Sequence, residues 1–132
     1  MSTPAAREAL LAAARAVRRR AHAPYSKFKV GAAVRDERGR IHVGCNVENA
    51  SYGLTVCAER NAVAAAVAAG ARRIRAVAVA SAARPPATPC GACRQVLAEL
   101  GEPDTEVLIA GAGGPSRRTT LRALLPQAFR LD

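Results

Sequence analysis

Three cysteines in two groups constrain this chain more than any other feature. The first group is Cys57-Ala58-Glu59-Arg60 and the second is Pro89-Cys90-Gly91-Ala92-Cys93-Arg94. If both groups open helices, three sulfurs can surround one zinc ion, so the fold must bring two distant helix starts to one place. Zinc prefers four ligands; a closed structural site takes four Cys or His side chains, whereas three protein ligands leave a position open for water. Glu59, two positions after the first thiol, is then placed to move protons rather than to hold the metal.

The 132 residues are half hydrophobic, enough for one core, so a single domain over residues 1–132 is expected. No stretch is long and apolar enough to span a bilayer, and Arg7, Glu8 and Arg15 interrupt the apolar run that a signal peptide needs. The expectation is a cytoplasmic protein without a membrane partner. In a reducing compartment, metal binding or chemistry explains four cysteines more readily than disulfides do. The net charge of +10 invites a nucleic-acid reading. Against it, the arginines are scattered, the run Arg18-Arg19-Arg20 falls where a helix ends, and at 3% the aromatic residues offer little on which to stack bases.

Thr3-Pro4 reads as an N-cap followed by proline in the first turn, with Leu10, Ala14, Val17 and Ala21 at helical spacing until Pro24. Phe28, Val30, Ala32 and Val34 alternate, Asp36 to Gly39 turns the chain, and Ile41, Val43, Cys45 and Val47 alternate again, a hairpin. That register puts Cys45 on the apolar side, a buried thiol rather than a fourth ligand. Asn46 and Glu48 share the opposite side, where their donors and acceptors suit paired hydroxyls. Cys57 to Ala69 reads as a helix closed by Gly70, Ile74–Ala80 as a central strand, Cys90–Leu100 as a second helix and Glu106–Ala110 as a strand. A Gly111–Pro115 turn, an edge strand near Arg117–Thr120 and a short helix from Leu121 complete the order. The expected fold is three-layer α/β/α with a mixed sheet of about five strands, both cysteine groups lying at strand-to-helix junctions where ligands collect.

At helix N-termini the thiols of Cys57, Cys90 and Cys93 are expected to ionise readily. Three thiolates make zinc a poor Lewis acid unless charge is withdrawn, and Arg60 and Arg94, each beside a motif, are expected to hydrogen-bond the sulfurs.

These residues resemble the small, all-cysteine form of the zinc-dependent cytidine deaminases. The matching segments are Tyr25 to Ala32, Gly44 to Ala50, Cys57 to Arg60, Pro89 to Gln95 and Leu124 to Phe129, spanning nearly the whole chain. The resemblance implies one zinc ion per subunit on Cys57, Cys90 and Cys93, proton transfer by Glu59, and ribose hydroxyls held by Asn46 and Glu48. It also implies a base contact from Phe28 and a substrate contact from Ala58, with Phe129 of a neighbouring subunit on the pyrimidine and Ala50 and Tyr52 near a neighbour's ligand, in a homotetramer. The implied reaction is hydrolytic deamination of free cytidine and deoxycytidine in pyrimidine salvage. Without the family, Phe28 and Phe129 read as ordinary core or terminal aromatics. Two other classes compete: a structural zinc module on nucleic acid, which leaves Glu59 without a role, and a Cys-x-x-Cys redox protein, which leaves Cys57 without one. Within the enzyme class, the aminonucleoside-antibiotic deaminases carry similar cysteines, but Asn46-Val47-Glu48-Asn49 fits the cytidine enzymes better.

Overall fold

Thr3 caps the first helix as its sequence predicts: its Oγ1 accepts the Ala6 N–H, Pro4 opens α1 (Pro4–Arg18), and Leu10, Leu11 and Ala14 are buried along one stripe. The structure, a computed structural model, describes residues 2–112 and 115–131; Gly113 and Gly114 of the expected glycine turn and the two end residues lie outside them. The helix stops at Arg18, well before Pro24. Beyond it the backbone leaves helical pairing for a neighbouring segment: His22 N–H donates to the Asn46 carbonyl, and Glu48 N–H donates to that of His22.

Strands β1 (Gly31–Asp36) and β2 (Ile41–Cys45) form the expected hairpin, with Gly39 at φ +81° in its turn. The buried Asp36 carboxylate closes that turn by accepting the Arg38 and Arg40 N–H groups and the Arg40 Nε–H, and it lies 2.8 Å from His42 Nε2. A single 3₁₀ turn at Tyr52–Leu54 leads to α2 (Ala58–Ala68), β3 (Ile74–Ala80), α3 (Gly91–Leu100), β4 (Glu106–Ala110), β5 (Arg117–Thr120) and α4 (Leu121–Leu124).

The strands order as β2-β1-β3-β4-β5, antiparallel throughout except for parallel β3 and β4, so the sheet is mixed and five-stranded. Strand alternation splits its side chains between two cores. Ala33, Ala76, Ala78, Ala80, Leu108 and Ala110 meet Leu10, Leu11 and Ala14 of α1, whereas Val34, Val77, Val79, Val107 and Ile109 meet Ala62, Ala66 and Leu97 of α2 and α3. Helices therefore cover both faces, the three-layer arrangement expected. No described helix is long and apolar enough to cross a membrane.

Two strand boundaries differ from the alternation. Both β1 and β2 are shorter at the site end, because Asn46 interrupts the ladder: its Oδ1, rather than a backbone carbonyl, accepts the Val30 N–H at 2.8 Å. Cys45 sits on the α1 side of this edge strand, as its register requires, but half-buried and not enclosed, and Val43 on the same side is exposed.

What seats α2 is Gly44. A Cβ there would lie 2.3 Å from the Ala62 nitrogen, 2.7 Å from the Asn61 carbonyl carbon and 2.8 Å from the Ala58 oxygen, all backbone atoms of the helix that Cys57 caps. Asn61 secures the contact by donating Nδ2–H to the Cys45 carbonyl at 2.8 Å. Gly44→Ala is therefore expected to destabilise the protein by about 1–3 kcal/mol, the usual range for overpacking, and to lower bound zinc by displacing the start of α2. Thermal unfolding and metal analysis of the purified variant check this; a wild-type melting temperature with full zinc would refute the close approach.

Candidate metal and active site

Cys57 and Cys90 are the N-caps of α2 and α3, and Cys93 occupies the first turn of α3. Neither side chain makes the usual N-cap bond, and the two sulfurs turn toward each other. Cys57 Sγ lies 3.9 Å from Cys90 Sγ, which lies 3.3 Å from Cys93 Sγ, and all three fall within 4.8 Å of one another. Two sulfurs at corners of a tetrahedral zinc site, with Zn–S near 2.3 Å, are separated by about 3.8 Å. The donor set fits zinc in chemistry as well as spacing, since soft sulfur ligands favour it over magnesium or calcium. Among the described residues no other His, Cys, Asp or Glu joins the group, so Cys45 stands apart from it.

Glu59, in the first turn of α2, is 95% withdrawn from solvent. Burial raises its carboxyl above the ordinary glutamate value, against the opposing pull of its own backbone N–H and the Arg60 charge. The thiols depart from the uniform ionisation expected of helix termini. Burial resists ionisation at Cys90, but hydrogen bonds from the Cys93 and Ala92 N–H groups and from the neighbouring thiols outweigh it and lower the value. Cys93 goes the other way: burial, then the Glu59 charge and the adjacent sulfurs, push its thiol far up. A fully enclosed sulfur facing other anions gains less from a helix terminus than it loses in desolvation.

The two arginines divide. Arg60, three residues after Cys57 and so on the same helical face, places Nη2 3.7 Å from Cys57 Sγ and 3.3 Å from the Thr55 carbonyl. Arg94 is a correction: it reaches none of the three sulfurs. Its Nε donates to the Pro89 carbonyl at 2.7 Å, Nη1 to the Leu124 carbonyl at 2.8 Å and Nη2 to Thr88 Oγ1 at 3.0 Å. Carbonyl oxygens are better acceptors than sulfur, and two of them fill the guanidinium fork. Arg94 thus clasps the loop before α3 to the chain after α4.

The segment after β2 runs directly beside this centre. Val47 and Val56 exchange backbone hydrogen bonds at 3.0 Å, which sets Asn46 and Glu48 next to the approach to Cys57. Asn46 is buried; its Oδ1 accepts from Val30 N–H and its Nδ2 donates to the Phe28 carbonyl at 2.9 Å. Glu48 accepts from the Tyr25 N–H at 3.0 Å, the Ser26 N–H at 3.2 Å and the Ser26 hydroxyl, and that hydroxyl bond first of all lowers its carboxyl below the usual range. A cavity of about 370 Å³ opens here between Tyr25, Ser26, Glu48, Asn49, Tyr52 and Thr55. Tyr25 and Tyr52 meet edge to face at 6.3 Å on its wall.

Of the remaining predicted contacts, Phe28 is 39% exposed, Tyr52 77% and Phe129 68%, and Ala50 is exposed. Ala58 is a second correction. As the first residue of α2, pressed against Gly44, it retains no accessible surface for a ligand. Sequence reasoning missed Ser26, Thr55 and Asn61. Asn61, the polar residue in an otherwise Ala/Val-rich stretch of α2, was the one with a readable signal; Ser26 and Thr55 act through contacts with no local pattern.

Fold and site together define an α/β metal enzyme, with an open three-sulfur site beside a buried carboxylate. The family model described as the cytidine and deoxycytidylate deaminase zinc-binding region matches residues 4–109, and the chain belongs to that family. It is 46% identical over 122 residues to the cytidine deaminase of Sporosarcina psychrophila, covering 92% of this chain and 90% of that one. Identity to the cytidine deaminase of Mycobacterium tuberculosis H37Rv is 48% over 112 residues, 85% of this chain and 80% of the relative. The crystal structure of cytidine deaminase from Burkholderia pseudomallei superposes with a TM-score of 0.88 at 52% identity, covering 92% of this chain and 98% of that chain.

Arg60→Gln removes the one cation that, among the described residues, touches a cluster sulfur. It is expected to weaken zinc binding by about tenfold to a hundredfold while leaving one ion per chain at saturating metal. Competition against a chromophoric chelator measures this, and an unaltered affinity would assign Arg60 to packing alone.

Proposed function

We propose that this chain hydrolyses the 4-amino group of free cytidine and deoxycytidine, giving uridine or deoxyuridine and ammonia, a step of pyrimidine salvage. The observation that carries the reading is the pairing of an incomplete, three-sulfur ligand set with one buried carboxylate two residues from the first sulfur. A structural zinc site has no use for that carboxylate, and a dithiol redox centre has no use for the third sulfur. Cys57, Cys90 and Cys93 hold the zinc ion. When bound, zinc supplies the Lewis acidity that makes water nucleophilic at neutral pH.

Glu59 accepts a proton from that water and delivers it to N3 of the pyrimidine, which makes C4 electrophilic; the water oxygen adds to C4 as the N3–C4 double bond gives up its electron pair to the new N3–H bond. Glu59 then carries the second water proton to the amino nitrogen, the C4–N bond breaks and ammonia departs. One water is consumed and one ammonia released. A carboxyl raised by burial suits both halves of this work, because it holds a proton longer than an exposed glutamate would without losing the ability to give it up.

Asn46 and Glu48 take the ribose hydroxyls with the capacity that their contacts leave over. Asn46 keeps one Nδ2–H, and Glu48 Oε2, which accepts only the Ser26 hydroxyl, keeps a lone pair. An ionised Glu48 at the 3′ position repels the phosphate of a linked nucleotide, which favours free nucleosides over polynucleotides. Phe28 packs on the base. Phe129, Ala50 and Tyr52, exposed in the single chain, serve a neighbour's site in a homotetramer, and four free cysteines suit a reducing cytoplasm.

Loss of cytidine absorbance on incubation with the enzyme, abolished by a zinc chelator and restored by zinc, tests the reaction. Glu59→Gln is expected to retain zinc and lose about 10²–10⁴-fold or more in kcat, since a carboxamide cannot relay protons. Near-normal turnover would remove Glu59 from the mechanism. Light scattering is expected to give the mass of four chains, with Phe129→Ala raising KM; a monomer active at full rate would contradict the shared site.

A further inference from the structure

Ligand residues with spare capacity are usually held by something else, and what Asn46 holds is the loop that presents Phe28. Its amide bonds the two peptide groups that follow that ring: Nδ2 donates to the Phe28 carbonyl at 2.9 Å, and Oδ1 accepts from Val30 N–H at 2.8 Å. Its own N–H donates to the Val30 carbonyl at 3.2 Å, so side chain and main chain grip one short segment together. The loop needs such a grip. Lys27, immediately before Phe28, adopts φ +61°, a left-handed conformation that costs a side-chain-bearing residue energy and persists only where its surroundings over-determine it. At 8% exposure Asn46 is shielded from water that would compete for these bonds.

We propose that Asn46 is the positioning residue for Phe28, fixing the height and tilt of the ring through the two peptide groups that follow it, so that sugar recognition and base stacking form one mechanical unit. The proposal rests on the reading above that Phe28 packs on the base. Because both amide atoms are committed, the orientation of Asn46 is fixed, and the remaining Nδ2–H is the donor it offers to a hydroxyl. A nucleoside hydroxyl that binds Asn46 therefore meets a side chain already tied to the ring.

Asn46→Ala, assayed with cytidine and with 3′-deoxycytidine in both the native and the Phe28→Leu backgrounds, separates positioning from hydroxyl binding. The expected result is a fall in kcat/KM of about tenfold or more that persists on 3′-deoxycytidine and largely disappears once Phe28 is leucine. A loss confined to cytidine, or one that adds fully to that of Phe28→Leu, would overturn the proposal. Should the alanine variant fail to fold, Asn46→Asp is read instead: it is isosteric and keeps the acceptor for Val30 N–H but has no donor for the Phe28 carbonyl. With only two phenylalanines in the chain, ring-selective labelling reports each separately. The Phe28 resonances are expected to shift or broaden in Asn46→Asp while those of Phe129 stay in place; an unmoved Phe28 would overturn the proposal. This readout does not depend on turnover, so a chain inactive on cytidine would refute the functional reading and leave the positioning claim to be judged by itself.

Discussion

The approach of α2 to the backbone of Gly44 is the contact on which the site depends. It lets the helix lie against β2 without an intervening side chain, and Ala58 and Ala62, both wholly buried, keep the contact close along its length. That sets the height of Cys57 above the sheet. The partner height is set by α3, whose Cys93 and Leu97 are equally enclosed, and the Arg94 clasp on Pro89 and Leu124 holds the loop before it. Three sulfurs then converge because two helix starts have been placed independently on one sheet, each by its own packing.

Charge explains why such a centre wants a divalent cation. Cys57, Cys90, Cys93 and Glu59 are four groups that can each carry a negative charge, gathered where two are almost inaccessible to water, and among the described residues the only cation touching a sulfur is Arg60. Among the protein groups alone this crowding shows in opposite responses of neighbouring thiols: Cys90 lowered, Cys93 raised. A bound cation opposes the raising contributions at Cys93, so metal uptake there releases protons and strengthens as pH rises. Helix termini contribute, but their partial charges fade within a turn and do not offset burial of a sulfur behind them.

Much of this was legible in the chain because it follows local periodicity. Alternation in 31–36 and 41–45, the continuous apolar run of β3 and the glycine after α2 mark elements whose residues interact with near neighbours. The cysteine spacing was legible for the same reason, since Cys90 and Cys93 are one helical turn apart. Contacts across sequence were not. Arg94 follows Cys93 directly, yet successive residues of a helix point about 100° apart, and its carbonyl partner at Leu124 is thirty positions away. Ala58 stands between two residues of the site and was expected to touch the substrate; the glycine beneath it decides otherwise. Asn46 looked like a free polar residue on a strand edge, and nothing in its neighbourhood foretold that it would replace a ladder carbonyl for Val30.

The two halves of the site are built from different materials, and this shapes how it can change. The metal half uses helix starts and core packing, where Cys93, Ala58 and Glu59 cannot be altered without disturbing enclosed neighbours. The half proposed for recognition uses loops at 23–30 and 46–56, held mainly by side-chain and backbone hydrogen bonds: Glu48 to the Tyr25–Ser26 peptide groups, Asn49 N–H to Thr55 Oγ1, Asn46 to Phe28 and Val30. Each such bond is worth about 1 kcal/mol net, so recognition can be retuned by substitutions that leave the core intact. Arg60 is where the halves meet, with one guanidinium nitrogen shared between the Thr55 carbonyl of the recognition loop and the sulfur of Cys57. Movement of the loop at Thr55 therefore reaches the electron-rich side of the metal centre through a single side chain, a route by which an occupied ligand cavity can bear on the chemistry beside it.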